Sequence, residues 1–546
     1  MRNLMRRSLW LLLAMLIPAN TYGFQEQDVY FLIKKNFSIF SKAYENIALE
    51  YVDQVNPELL MRNGMQAMLE TLDPYTVFYN ESQNEQAEIF SRSNYAGIGI
   101  EAGFRDGEVV IVAPTEGGPS ERKGIRAGDV ILSIDGVSTE GLLPEEVQNL
   151  TMGEIGSSVT LVITRFGVDQ PIEFEITRES IEVPNVTHFT NLGNDGEVGY
   201  IRLAQFGMNS ASEIREALNQ VSSERELQGL ILDLRDNPGG ILQEAVAIVD
   251  KFVEPGLTVV ETRGRIAEYN QAYNTSEPVL FDKPIVVLMN GGSASASEVV
   301  SGALQDLDRA VILGETSFGK GLVQIVKPMP YNTSMKITIS RYFTPSGRSI
   351  QSVDYTHQSR NSSISRAETA NRIFRTRNGR EVKEGRGIEP DVISTGEIPG
   401  LLEVSLLQQG HYFDFATKYE AENPSFNEPE LPASVFEDFK EFLVDQEFDY
   451  ITDSELLLAE LKGKHQETEI RSNIDAIQNI IDDQKATEFE EAESRIKKIL
   501  YLELISRFKG QNAEKDAALL LDDQIMEALN VLSSPKNISG ILNGEG

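Results

Sequence analysis

The chain predicts a multidomain α/β protein: a helical N-terminal region (24–93), a small β-rich domain (94–180), an α/β core (181–395) and an acidic, helical C-terminal region (396–546). Three observations predict it. Two apolar strands, 230–235 and 284–290, each run into a Gly-Gly turn and then a helix-spaced segment, 242–252 and 298–306. Two such units side by side suit an α/β sheet with both turns at one edge. Between 94 and 180, short alternating runs are broken by turn residues, as in a small β domain. On either side, apolar residues recur at helical spacing, as in Tyr30, Ile33, Phe37, Phe40 and Tyr44.

At 546 residues the chain is too long for one hydrophobic core. Its 84 acidic and 49 basic residues leave a formal charge of −35. A field of that sign repels nucleic acid and anionic membrane surfaces, so neither is an expected partner. The chain has no cysteine, which excludes disulfides and a cysteine-linked lipid.

Residues 1–23 read as a secretory signal peptide. Arg2, Arg6 and Arg7 precede the apolar run 9–17, too short to span a bilayer comfortably, and Thr21-Tyr22-Gly23 supplies small residues for cleavage after Gly23. The alternative is an uncleaved anchor. The mature protein is expected outside the cytoplasm, in a bacterial periplasm or secreted. Residues 57–69 read as a second N-terminal helix with proline near its start.

In the β-rich domain, Gly97-Ile98-Gly99-Ile100 precedes a strand near 108–112, and Gly124-Ile-Arg-Ala-Gly-Asp-Val-Ile-Leu-Ser-Ile-Asp-Gly136 ends on a tight-turn signal. Residues 144–150 read as a short helix and 158–164 as a strand. These segments resemble a PDZ domain. The resemblance implies capture of an extended C-terminal peptide as an added strand, its carboxylate held by loop N–H groups at Gly97, Ile98 and Gly99.

The core carries the chemistry. The strand 285–289 ends in Asn290-Gly-Gly, and Ser293-Ala-Ser295-Ala-Ser297-Glu298 leads into a helix. Serines therefore sit where a strand becomes a helix, beside N–H groups free to stabilise an oxyanion. A serine hydroxyl needs a base. The four histidines, His188, His357, His411 and His465, stand in no catalytic-looking context. A lysine serves if it is held neutral, which burial can do. Lys320, between Gly319 and Gly321 and after the apolar run 310–313, is the candidate.

Gly-Ser-Ala-Ser-Ala-Ser-Glu298 followed by Phe318-Gly-Lys-Gly-Leu-Val-Gln324 resembles the C-terminal processing peptidases, or tail-specific proteases, serine endopeptidases with a Ser-Lys pair. The resemblance implies an α/β (crotonase/ClpP-like) protease core. It implies Ser295 as nucleophile, Lys320 as base and Gln324 as the residue orienting the lysine, with Ser293 and Ser297 as neighbours. It implies that the turn Asp236-Asn-Pro-Gly-Gly240 gives an oxyanion donor from Gly239 or Gly240, with Ala296 N–H as the second. Substrates are then proteins or peptides with accessible C-termini, and neither metal nor cofactor is implied. Residues 340–348 and 387–392 match strands that close the family's domain, and 352–381 between them reads as a polar, mobile loop.

Gly314-Glu-Thr-Ser-Phe-Gly-Lys320 fits most of a phosphate-binding P-loop, but Gly321 stands where the metal-binding hydroxyl belongs, and a strand rather than a helix follows. A PDZ scaffold with an inactive core is opposed by the intact Ser-Lys-Gln set. The C-terminal region has no assignable motif; prolines 424, 429 and 432 mark a linker within it. Covering the core is its most ordinary role, and homo-oligomer formation or adaptor binding are the others.

Overall fold

The computed structural model describes residues 21–81, 83–84, 94–105, 107–353, 355, 372–423, 425–464 and 468–544. The signal peptide expected over 1–23 lies outside them except for 21–23. Among the described residues, no helix is long and apolar enough to cross a membrane. The chain forms two compact units: residues 1–81, 324–338 and 355–360 make the first, and 82–323, 339–354 and 361–546 the second.

The first unit has the two expected helices, Thr21–Glu50 and Pro57–Leu69. Asn56 caps the second by accepting the Leu59 N–H at 3.1 Å, with proline at its start where no N–H is needed. Tyr44 Oη donates to the Pro57 carbonyl at 2.9 Å and ties the pair together. Strand Val77–Tyr79 pairs antiparallel with residues 334–336.

In the second unit, strands Val186–Leu192, Val198–Leu203, Gly229–Asp233, Ile285–Met289, Val311–Gly314 and Val392–Ile393 lie side by side in chain order. The first pair is antiparallel and the rest parallel. Side chains alternate along each strand, so each strand feeds two cores. Leu230, Leu232, Ile285, Val287 and Met289 face helices Ser210–Glu224, Leu242–Val249 and Ala296–Asp306. Ile231, Val286, Leu288, Val311 and Leu313 face the other way, onto Ile525, Ala528, Val531, Leu532 and Ile538. These come from helices Asp523–Leu532 and Pro535–Leu542. These helices close the second face of the sheet, because a parallel sheet needs both faces covered.

The remaining helices, from Leu401–Gln408 to the 42-residue Thr468–Lys509, close around an aromatic core of Tyr412, Phe415, Phe436, Phe439 and Phe442. The β-rich domain is a sheet in the order Ile100–Arg105, Glu108–Pro114, Val130–Ile134, Ser158–Thr164, Ile172–Thr177, with Ile100–Arg105 at its edge. It leans on the helical region: Arg105 forms a two-pronged ion pair with Asp414, and its Nη2 also donates to the Gln409 carbonyl at 2.7 Å. Within the stretch expected as a loop over 352–381, Ile373–Arg375 pairs antiparallel with Glu381–Lys383, a hairpin too short to show a period in sequence; residues 354 and 356–371 lie outside the described residues.

Candidate active site

Asn290-Gly-Gly turns the chain sharply out of strand Ile285–Met289. Asn290 Oδ1 accepts the Gly292 N–H at 3.0 Å and the Asp236 N–H at 2.9 Å, so the two Gly-Gly turns are tied together. The three serines that follow differ in what they do. Ser293 Oγ donates to the Leu234 carbonyl and Ser297 Oγ to the Asn237 carbonyl, each at 2.8 Å and each fully buried. Both hydroxyls fasten the turn to its neighbour. Ser295 retains 7% exposure and caps helix Ala296–Asp306. Its backbone stands at φ 54° and ψ −109°, a conformation that side chains avoid. A non-glycine residue held there costs about 1–3 kcal/mol, and such strain collects at functional sites.

The neighbouring turn meets Ser295 at close range. Gly239 has φ +97°, and a Cβ there would lie 2.8 Å from Ala296 N and 2.9 Å from Ser295 Cβ. Only glycine fits. The Gly239 N–H is spent on Asn237 Oδ1 at 2.9 Å. Among the described residues, no protein acceptor meets the N–H of Gly240 or of Ala296. One open donor, Ala296, thus stands at the N-terminus of the helix that Ser295 caps, and the other, Gly240, in the turn whose Gly239 meets Ser295.

Lys320, half-buried, sits in a loop whose glycines are required: a Cβ on Gly319 would lie 2.3 Å from Ser352 Oγ, and one on Gly321 would lie 2.6 Å from Gln351 N. The loop is bound to Ser295 by a residue not predicted from sequence, Glu298. One carboxylate oxygen, Oε2, accepts the Ser295 N–H and the Lys320 N–H, each at 2.8 Å. Those two nitrogens are therefore separated by no more than twice that length. Oε1 accepts Ser317 Oγ at 2.6 Å and the Gly319 N–H at 2.7 Å. Burial pushes the Glu298 carboxyl above its ordinary range, while the four donors pull it back. The missed signal was the spacing Ser295-x-x-Glu298, a helix-capping pattern in which the glutamate reaches back to the cap N–H.

Glu298→Gln is expected to lower kcat/KM about 100-fold. Both oxygens accept two donors, and an amide would turn an N–H₂ group against one pair, at roughly 1–3 kcal/mol per stranded donor. Peptidase assays with a melting curve check this; a variant as active as wild type would remove Glu298 from the account.

Gln324 belongs to the first unit, where its Nε2 donates to Thr338 Oγ1 at 3.2 Å. The Thr338 N–H is in turn donated to Thr76 Oγ1 at 3.2 Å. Of the histidines, His188 pairs with Asp516 and His411 with Gln409; His357 and His465 lie outside the described residues. Among the described residues, no group of three or more His, Asp or Glu is placed to hold a metal ion.

In the β-rich domain, Ile98 is buried and its carbonyl accepts the Ser120 N–H at 3.2 Å and Ser120 Oγ at 2.6 Å. Gly99 has φ +67°. Among the described residues, no acceptor meets the Ile98 or Gly99 N–H, and both lie immediately before the edge strand Ile100–Arg105.

Three stretches of the chain match known protein families. Residues 197–359 match the model of peptidase family S41. The carboxy-terminal-processing protease of Bartonella bacilliformis is 37% identical over 335 residues, 61% of this chain and 75% of its own length. The chain belongs to peptidase family S41. CtpB of Bacillus subtilis, a carboxy-terminal processing protease, is 34% identical over 335 residues, covering 61% of this S41 peptidase and 68% of CtpB. A solved photosystem II D1 C-terminal processing protease is 28% identical, with 64% and 86% of the two chains covered and a TM-score of 0.34. Residues 110–165 of the S41 peptidase match a PDZ domain, and 402–532 the C-terminal helical domain of a probable PDZ-protease. The enzyme is a serine peptidase carrying a PDZ domain and a helical C-terminal domain.

Proposed function

We propose that this S41 peptidase cleaves proteins after binding their C-terminal tails, through an acyl-enzyme formed on Ser295. The observation that carries the reading is the Glu298 carboxylate, which holds the strained Ser295 cap and the Lys320 loop on one oxygen. In this reading Lys320 is neutral and takes the Ser295 hydroxyl proton as Oγ attacks the scissile carbonyl. The Gly240 and Ala296 N–H groups receive the oxyanion. The protonated lysine then gives its proton to the leaving amine, and water clears the ester in the reverse sense. The substrate tail adds as a strand along Ile100–Arg105, with its carboxylate at the loop N–H groups of Gly97, Ile98 and Gly99. The arginines and apolar run at the start of the sequence support export to the periplasm or beyond.

Blocking the tail tests the recognition half. An unstructured substrate with an amidated C-terminus is expected to have kcat/KM roughly ten- to a hundredfold lower than the free acid, the worth of charge-assisted hydrogen bonds to one carboxylate. Equal rates for the two substrates would refute tail capture.

A further inference from the structure

Two consecutive residues, Gln351 and Ser352, grip the backbone on either side of Lys320, and all three lie in the second unit. On one side, the Ser352 N–H donates to the Gly319 carbonyl at 3.0 Å, and Ser352 Oγ donates to the same carbonyl at 3.1 Å. On the other, the Gly321 N–H donates to Gln351 Oε1 at 2.7 Å. The Gly321 carbonyl accepts the Tyr342 N–H at 2.8 Å. The Gln351 side chain is itself fixed. It is 7% exposed, and its Nε2 donates to the Val353 carbonyl at 2.8 Å. An N–H on one side and a carbonyl on the other leave the amide one orientation. The segment that carries it is anchored as well: the Gly385 N–H donates to the Ser349 carbonyl at 2.9 Å, and the Gly387 N–H to the Ile350 carbonyl at 3.1 Å.

We propose that Gln351 is a positioning residue for the peptidase reaction, its side-chain oxygen fixing the direction in which the Lys320 side chain leaves its loop. The inference rests on Lys320 being the base. A peptide unit is planar, so the φ and ψ of a residue are set by the two planes that meet at its Cα. The plane before Lys320 is held at both ends, its carbonyl by Ser352 and its N–H by Glu298 Oε2 at 2.8 Å. The plane after Lys320 is held at its N–H by Gln351 Oε1. With both planes fixed, the Cα–Cβ bond of Lys320 has one direction. Without the second hold, Gly321, which has no Cβ to restrict it, lets that plane turn. Displacing an amine from its working place by even about 1 Å is costly in rate. Gln351 thereby acts on the base through the backbone.

Gln351→Met keeps the length of the side chain and removes its acceptor; Gln351→Glu keeps an oxygen in the same place. In the full-length protein, Gln351→Met is expected to lower kcat about tenfold with KM within about twofold, because the base is displaced and no group that binds substrate is changed. Gln351→Glu is expected to bring kcat back to within about threefold of wild type. Its carboxylate accepts the Gly321 N–H, and a protonated carboxyl also donates to the Val353 carbonyl. A side chain that merely fills space would not separate the two variants. Rates are read well below each melting temperature. Gln351→Met as fast as wild type, Gln351→Glu as slow as Gln351→Met, or losses that follow the melting temperature would each overturn the proposal. Lys320→Ala measured alongside separates this inference from the reading beneath it. If Lys320→Ala remains active, the base is misassigned and both fall. If it is inactive while Gln351→Met is as fast as wild type, only the role of Gln351 falls.

Discussion

Ser295→Ala is expected to cut kcat/KM on an unstructured protein by at least ~10⁴-fold, and Lys320→Ala by a similar factor. The reason is chemical before it is structural. Without Oγ there is no atom to form the acyl bond; without the amine, the hydroxyl keeps its proton at the moment of attack. In the proposed mechanism the two residues act as one device, so the double variant is expected to be no slower than either single one. Ser293 and Ser297 offer no rescue, since both hydroxyls are buried and spent on carbonyls of the adjoining turn. In the proposed mechanism, the residual activity of the variants comes from the Gly240 and Ala296 N–H groups. Single-turnover cleavage, with melting curves to show that each variant is folded, measures all three. Losses that multiply in the double variant would mean that serine and lysine work separately.

The second large effect concerns stability. Ending the chain after Leu521 is expected to abolish folding of the protease core. Val286, Leu288, Val311 and Leu313 are completely buried, and helices Asp523–Leu532 and Pro535–Leu542 cover their face of the sheet. Uncovering a large apolar side chain costs about 1.5–3 kcal/mol, so several at once consume the ~5–15 kcal/mol by which a domain is stable. The cut also removes Asp522 and Gln524, which accept from Arg235 Nη1 at 2.8 Å each. Arg235 pairs with buried Asp233 immediately before the Asp236–Gly240 turn, and holds that carboxyl below its ordinary range despite burial. A gentler variant separates cover from chain length: Ile525→Asp, which buries a charge against the sheet, is expected to cost ~4 kcal/mol or more in urea unfolding. A shortened chain that unfolds cooperatively and still cleaves would show that the sheet tolerates an open face.

What could be read from the sequence was local. The strands 230–235 and 284–290 announce themselves by apolar runs ending in Gly-Gly, and the PDZ segments by turns at fixed offsets; each signal is complete within about twenty residues. Glu298 was visible only as a helix-starting glutamate, because three of its four donors come from the Lys320 loop. The helices covering the outer face of the sheet have a clear apolar stripe, but a stripe does not say which surface it will meet. Within the Gly-Gly turn, glycine content marked a tight bend at both 239 and 240, whereas the bond from Gly239 to Asn237 Oδ1 is what leaves Gly240 as the open donor.

The late position of those covering helices has a consequence for biosynthesis. A ribosome makes the Ser295 turn and the Lys320 loop long before it makes residues 523–542. Until they arrive, the sheet that carries both groups has one greasy face bare. On this order of synthesis, Ser295 and Lys320 are carried on an incompletely covered sheet until the last helices are made.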